Sequence, residues 1–185
     1  LALRMWLLSI DYRKPLVLTR EAARMWGHNW QRVQNMVAWI SQETEDASPQ
    51  EPGKAVKQAL FDLRQGWTKA LENDVAVYTF WPVLFTFCRQ VNAWRKKDGI
   101  SPAEAGAVLE TMKRLDAVLG IVDWGGLPLA AHSWPREVAS LIRKRGQAQA
   151  DKDFATADAL REELTSLGYK VEDTPQGPRV YRHKG

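Results

Sequence analysis

At Gly168 the hydrophobic period of the chain changes from that of a helix to that of a strand, and no other position limits the fold so tightly. Before it, Phe154, Ala157, Leu160, Leu164 and Leu167 recur at steps of three and four, which sets them on one helical face. Asp153 stands where it can cap that helix by accepting a free backbone N–H. Gly168 is the residue type best suited to the left-handed position just past a helix. Beyond it, Tyr169-Lys170-Val171-Glu172 alternates like a half-buried strand, Asp173 to Gly177 turns the chain, and Arg179-Val180-Tyr181-Arg182 pairs back to make a hairpin.

Upstream of this tail only the helical period appears. Leu1 to about Tyr12 reads as a buried helix ended by Pro15. Thr19 caps a second, running to about Glu43 with Trp26, Trp30, Val33, Val37 and Ile40 on its core face. After a loop from Thr44 to Lys54, a third helix to Glu72 carries Val56, Leu60, Leu63, Trp67 and Leu71. Phe80, Leu84, Phe87, Val91 and Trp94 mark the most apolar helix, expected at the centre of the bundle, with Pro82 either delaying its start by a turn or kinking it. Arg95-Lys96-Lys97 and then Gly99 close it, cations at the negative end and a glycine stop. Ser101-Pro102-Ala103-Glu104 is a full capping box, opening a fifth helix with Val108, Leu109, Met112, Leu115 and Leu119 inward. Residues 120–134 read as an irregular linker, and Pro135 opens a sixth helix with Val138, Leu141 and Ile142. The expected fold is mainly α: an antiparallel, up-and-down helical bundle over 1–119, then a small helix plus β-hairpin appendage over 135–185.

A chain of 185 residues with 45% hydrophobic content can bury a sizeable core. Its single cysteine, Cys88, excludes an internal disulfide and argues against a cysteine-cluster zinc site. No apolar run approaches the roughly 20 residues of a membrane helix, so no membrane partner and a cytoplasmic location are expected. The net charge of +4 leans toward an anionic partner, although 22 acidic residues are interspersed among 26 basic ones. His28, His132 and His183 are widely spaced and form no ligand set.

Two stretches carry a resemblance to a known family. KDFATAD, LREEL and EDTPQGPR, over about thirty nearly ungapped residues, resemble the C-terminal end of bacterial cysteinyl-tRNA synthetases, where a helix and hairpin carry an EDTPQGT-type turn. At the other end, Ala2, Leu3, Arg4, Leu7, Leu8, Ser9, Tyr12, Arg13, Pro15 and Leu16 match the segment that follows the catalytic signature in the same enzymes, where a helical domain named for a D-A-L-R motif begins. Between them, Ala70, Leu71, Asp74, Val83, Leu84 and Phe85 match a motif that is otherwise eroded. Val180 stands where these enzymes usually carry tryptophan, with Tyr181 beside it on the other strand face.

The resemblance implies the tRNA-recognition half of such an enzyme, with the bundle along the anticodon stem and the hairpin near the anticodon. HIGH, KMSKS and the zinc ligands are not in this sequence, so ATP and zinc are expected only in a catalytic domain, and the chain alone should be inactive and without a cofactor. Physically, loop bases of RNA can be splayed, stacked and read at their edges while cations track phosphates. The RNA-binding candidates are accordingly Arg179, Tyr181 and Arg182 for stacking and charge, Asp173 and Gln176 at base edges, and Arg143, Lys144 and Arg145 on phosphates, with Arg4, Arg13 and Lys14 as further cations. Each has a plainer role open to it: a turn cap for Asp173, packing for Tyr181, a solvated face for the cations. The partners expected are a cysteine tRNA and the catalytic domain of the same protein, with the chain a monomer; a start at Leu1 rather than Met suggests a fragment of something longer. The alternative is a protein-interaction or regulatory module that kept the bundle and lost anticodon reading, suggested by the eroded motif, Val180 and nine Trp. A part of a ligase joining cysteine to an amino-sugar is disfavoured by the EDTPQG hairpin.

Overall fold

The computed structural model describes residues 1–44, 51–97, 99–174 and 177–182. They fold into two compact units, Leu1–Asp123 and Trp124–Gly185. The fold is mainly α, seven helices and one two-stranded antiparallel sheet among the described residues.

The first unit holds α1 (Ala2–Leu7), α2 (Arg20–Glu43), α3 (Lys54–Glu72), α4 (Trp81–Lys97) and α5 (Pro102–Leu119). The caps read from sequence are present. Thr19 accepts from the Ala22 N–H at 3.1 Å, and Ser101 and Glu104 form the capping box, with Glu104 also accepting from the Gly53 N–H at 3.1 Å. Gly99, at φ +76, stops α4. Pro82 falls at the second position of α4, where no intrahelical N–H is needed, so the helix starts late and is preceded by a 3-10 turn at Val77–Thr79.

Two expectations are corrected here. α1 ends at Leu7, not near Tyr12. Its last carbonyls are taken early: Ser9 donates through both its N–H and its hydroxyl to Trp6, and the Trp81 indole N–H takes the Leu8 carbonyl at 3.0 Å. The centre of the bundle is α2 rather than α4. α2 packs against α1, α4 and α5, and all of Met36 to Ile40 is buried. The start of α4 supplies aromatic packing instead, with Trp81 meeting Trp26 edge to face at 5.8 Å, and Phe80, just before the helix, meeting Trp67 at 5.0 Å.

Residues 120–123 close the first unit over its own core. Gly120 is left-handed at φ +58, Ile121 and Val122 are buried, and the buried Asp116 carboxylate accepts from both of their N–H groups. The Trp30 indole N–H donates to the Ile121 carbonyl at 2.9 Å, which explains why Trp30 stays half-buried in an otherwise buried stripe.

The second unit holds α6 (Arg136–Ala150), α7 (Phe154–Ser166), β1 (Tyr169–Thr174) and β2 (Gly177–Arg182). Asp153 caps α7 through Thr156, and Gly168, at φ +83, ends the turn that follows α7. The core is Val138, Leu141 and Ile142 of α6, Leu164 of α7, and Val171 and Val180 of the strands. The predicted α7 stripe is buried only in its middle. Phe154 and Leu167 are exposed, because a 13-residue helix packed on α6 and β1 covers its central turns and leaves both ends outside. No helix among the described residues is long and apolar enough to cross a membrane.

Candidate nucleic-acid interface

The hairpin sorts its side chains by parity. β1 and β2 pair as Tyr169↔Arg182, Lys170↔Tyr181, Val171↔Val180, Glu172↔Arg179, Asp173↔Pro178 and Thr174↔Gly177. Cross-strand partners share a face and faces alternate along each strand. Val171 and Val180 are buried against the helices, so their face, which also holds Asp173, is the inner one. Lys170, Glu172, Arg179 and Tyr181 therefore lie together on the outer face.

Val180 is fully buried, and its carbonyl accepts from the Leu129 N–H at 2.7 Å. Tyr181 is half-buried on the opposite face, as its neighbouring position in the strand requires. Burial and the adjacent Glu172 charge push the Tyr181 hydroxyl above its ordinary pKa, so it remains a neutral donor. Lys170 donates to Glu172 at 2.8 Å, and that bond holds the Glu172 carboxyl below its ordinary range. The outer face thus offers an aromatic ring, one guanidinium, one ammonium and one ionised carboxylate.

The predicted basic run on α6 is divided by the helix. Arg143 and Lys144 are exposed, while the Arg145 side chain is only 7% accessible and donates from both terminal nitrogens to the two oxygens of Asp173, each at 2.7 Å. Gln149, one turn later, reaches the same carboxylate at 3.4 Å. The Arg145 bond holds the Asp173 carboxyl below its ordinary range, against the opposing effect of burial. Arg145 and Asp173 are accordingly joined to each other, and Arg182 lies exposed at the far end of β2. Gln176 and His183 lie outside the described residues.

Of the cations in the first unit, Arg4 donates to the Gly120 carbonyl at 3.0 Å, and Arg13 pairs with Asp74 while its guanidinium sits 4.6 Å over the Tyr12 ring. Lys14 is exposed. His28 and His132 are both exposed, and no group of three metal-ligating side chains occurs among the described residues. Cys88 is buried, which pushes its thiol up to about 12. Sequence reasoning does not group Lys170 and Glu172 with these candidates, although they share the outer face with Arg179 and Tyr181. The sequence pattern ends the first strand at Glu172 and places the turn over Asp173 to Gly177, whereas β1 runs on through Thr174 and β2 begins at Gly177; this longer register sets Lys170 and Glu172 beside Tyr181 and Arg179.

The two-faced hairpin docked on a helix pair, with cations and an aromatic on one side, lies largely within the segment that comparisons with known proteins characterise. Residues 131–180 match the family described as the cysteinyl-tRNA ligase anticodon binding domain. The chain is similar along its length to cysteine–tRNA ligases: 32% identical to that of Chlamydia pneumoniae and 30% to that of Caldicellulosiruptor saccharolyticus, over 96% and 99% of this chain. With the enzyme of an Exiguobacterium species the identity is 27% over 98% of the chain. The chain corresponds in sequence to the C-terminal, anticodon-binding region of these enzymes. It spans 36%, 39% and 38% of the length of these three relatives.

Proposed function

We propose that the chain binds the anticodon arm of a cysteine tRNA, with the outer hairpin face toward the loop bases and exposed cations on the phosphates. The observation that carries this reading is the coincidence of the matched family segment, residues 131–180, with the helix and hairpin unit whose outer face presents Lys170, Arg179 and Tyr181. Tyr181 and Arg179 supply planes on which an unstacked base can lie, and Arg143 and Lys144 supply phosphate contacts. In this reading the chain acts in the cytoplasm as a monomer and partners the ATP- and zinc-dependent catalytic part of a cysteine–tRNA ligase. By itself it performs no catalysis.

The test is a titration with a cysteine tRNA transcript and with the same transcript carrying a changed anticodon, at two salt concentrations. A preference for the native anticodon that persists at higher salt supports base reading; equal and salt-sensitive affinities would reduce the chain to a phosphate binder. Absence of binding would favour the protein-interaction module. That second reading draws on Leu3 and Leu7, which are exposed four positions apart on α1. The tryptophans support it less, since Trp6, Trp26, Trp39, Trp67 and Trp81 are all buried in the bundle core.

A further inference from the structure

The least expected group in the C-terminal unit is the buried guanidinium of Arg145. Its side chain is 7% accessible and its Nε has no hydrogen-bond partner among the described residues, while the carboxylate it grips is 56% accessible. Burying a guanidinium with one donor unsatisfied costs stability, and an apolar residue of similar volume would often hold a core as well or better. Packing alone therefore does not account for it. What an apolar residue cannot do is choose one position along the strand.

The inner face of β1 carries Tyr169, Val171 and Asp173 in turn. Two buried valines, Val171 and Val180, set which face turns inward, but a shift of the hairpin by two residues along α6 would preserve that parity. A two-stranded hairpin is weakly held by its own ladder. The two-point fork of Arg145 is matched in charge and geometry by a carboxylate, and on the inner face of β1 only Asp173 supplies one. Gln149, one helical turn further on, reaches the same group and adds to the discrimination.

We infer that Arg145 is a positioning residue for base reading: its buried two-point grip on Asp173 fixes where the hairpin lies along α6, and so where the outer face with Lys170, Arg179 and Tyr181 meets RNA. The inference rests on the anticodon-reading function proposed above. It assigns Arg145 no contact with the nucleic acid.

The experiment compares the wild-type chain with Arg145→Met, Arg145→Lys and the exchange Arg145→Asp with Asp173→Arg, each titrated with the cysteine tRNA transcript and the changed-anticodon transcript. The expected result is that Met and Lys each cut the native-anticodon preference by at least about tenfold, the scale of one misplaced stacking contact, while the salt dependence stays the same. The exchange restores part of the preference. Amide exchange at Val171 and Val180 reports whether the hairpin core is intact in each variant; should Met unfold the unit, Lys, which keeps the charge and loses the fork, decides. The inference is overturned if preference survives in the variants, or if both transcripts weaken together as core protection is lost. A wild-type chain with no anticodon preference overturns the underlying reading, and this inference with it.

Discussion

Gln34 and Asp123 hold each other reciprocally: the Gln34 side-chain amide donates to the Asp123 carbonyl and its oxygen accepts from the Asp123 N–H, both at 3.0 Å. Gln34 is 8% accessible, so these two bonds replace water at both ends of the amide. Gln34→Leu keeps the volume and removes both of these bonds. We expect a loss of about 1–3 kcal/mol, read as a lower urea midpoint with an unchanged slope. A midpoint equal to that of the wild type would show that the strap over α2 is held without this amide.

Gly120 follows from a second close approach in the same strap. A Cβ built on it would lie 2.1 Å from the Arg4 Nη1, and its φ is +58, so alanine meets backbone strain and a displaced arginine at once. Gly120→Ala should cost about 1–2 kcal/mol in the wild-type background. In an Arg4→Ala background only the strain remains, and the cost should fall. Equal costs in the two backgrounds would mean that Arg4 simply swings away.

Local signals were legible in the sequence and distant ones were not. Thr19, Ser101 with Glu104, Asp153 and Gly168 act within four residues of themselves, and each does what its residue type dictates. The end of α1 depends on Trp81, 73 positions away, and nothing near Leu8 announces it. The hairpin face followed from alternation, which is why Tyr181 and Arg179 fall together. The basic run Arg143-Lys144-Arg145 did not: an α-helix turns each residue by about 100°, so three adjacent cations cannot share one face, and only the packed structure shows which one turns inward. Asp74 and Val75 are both left-handed at φ 53 and 54, a conformation that aspartate tolerates but that nothing about the β-branched Val75 foretells.

Acid should loosen the hairpin first. Asp173 is held below the ordinary carboxylate range by Arg145, so its folded pKa lies under its unfolded one. The stability it contributes is therefore present above the unfolded value of about 3.9 and is lost as pH falls through the folded value. Amide protection at Val171 and Val180 should decline as pH falls below about 4 in the wild type. In Asp173→Asn that decline should be shallower from a lower starting point. An identical acid profile in both proteins would remove Asp173 from the linkage.

Arg143 and Lys144 stand exposed on α6, and their assignment to phosphates has a quantitative signature. Removing one cation that neutralises a phosphate should reduce the slope of log affinity against log salt by about 1. Arg143→Ala with Lys144→Ala should flatten the slope by about 2 and weaken both transcripts equally. A changed anticodon preference in this variant would place these residues at bases instead.

In the proposed reading Tyr181 carries the stacking surface that Val180, sealed in the core, cannot offer. Removing an aromatic platform from single-stranded bases costs about 1–3 kcal/mol per base. Tyr181→Ala should therefore weaken binding of the native transcript by about ten- to a hundredfold while leaving the salt slope alone. Tyr181→Phe separates ring from hydroxyl: affinity retained in Phe and lost in Ala assigns the effect to stacking, whereas equal losses assign it to the hydroxyl beside Glu172. Val180→Trp gives the opposing control. A fully buried valine has no room for an indole, so this change should destabilise the unit by about 1–3 kcal/mol through overpacking, and any gain in RNA affinity would have to come from a rearranged hairpin. Undiminished binding by Tyr181→Ala would move the reading surface off the outer face altogether.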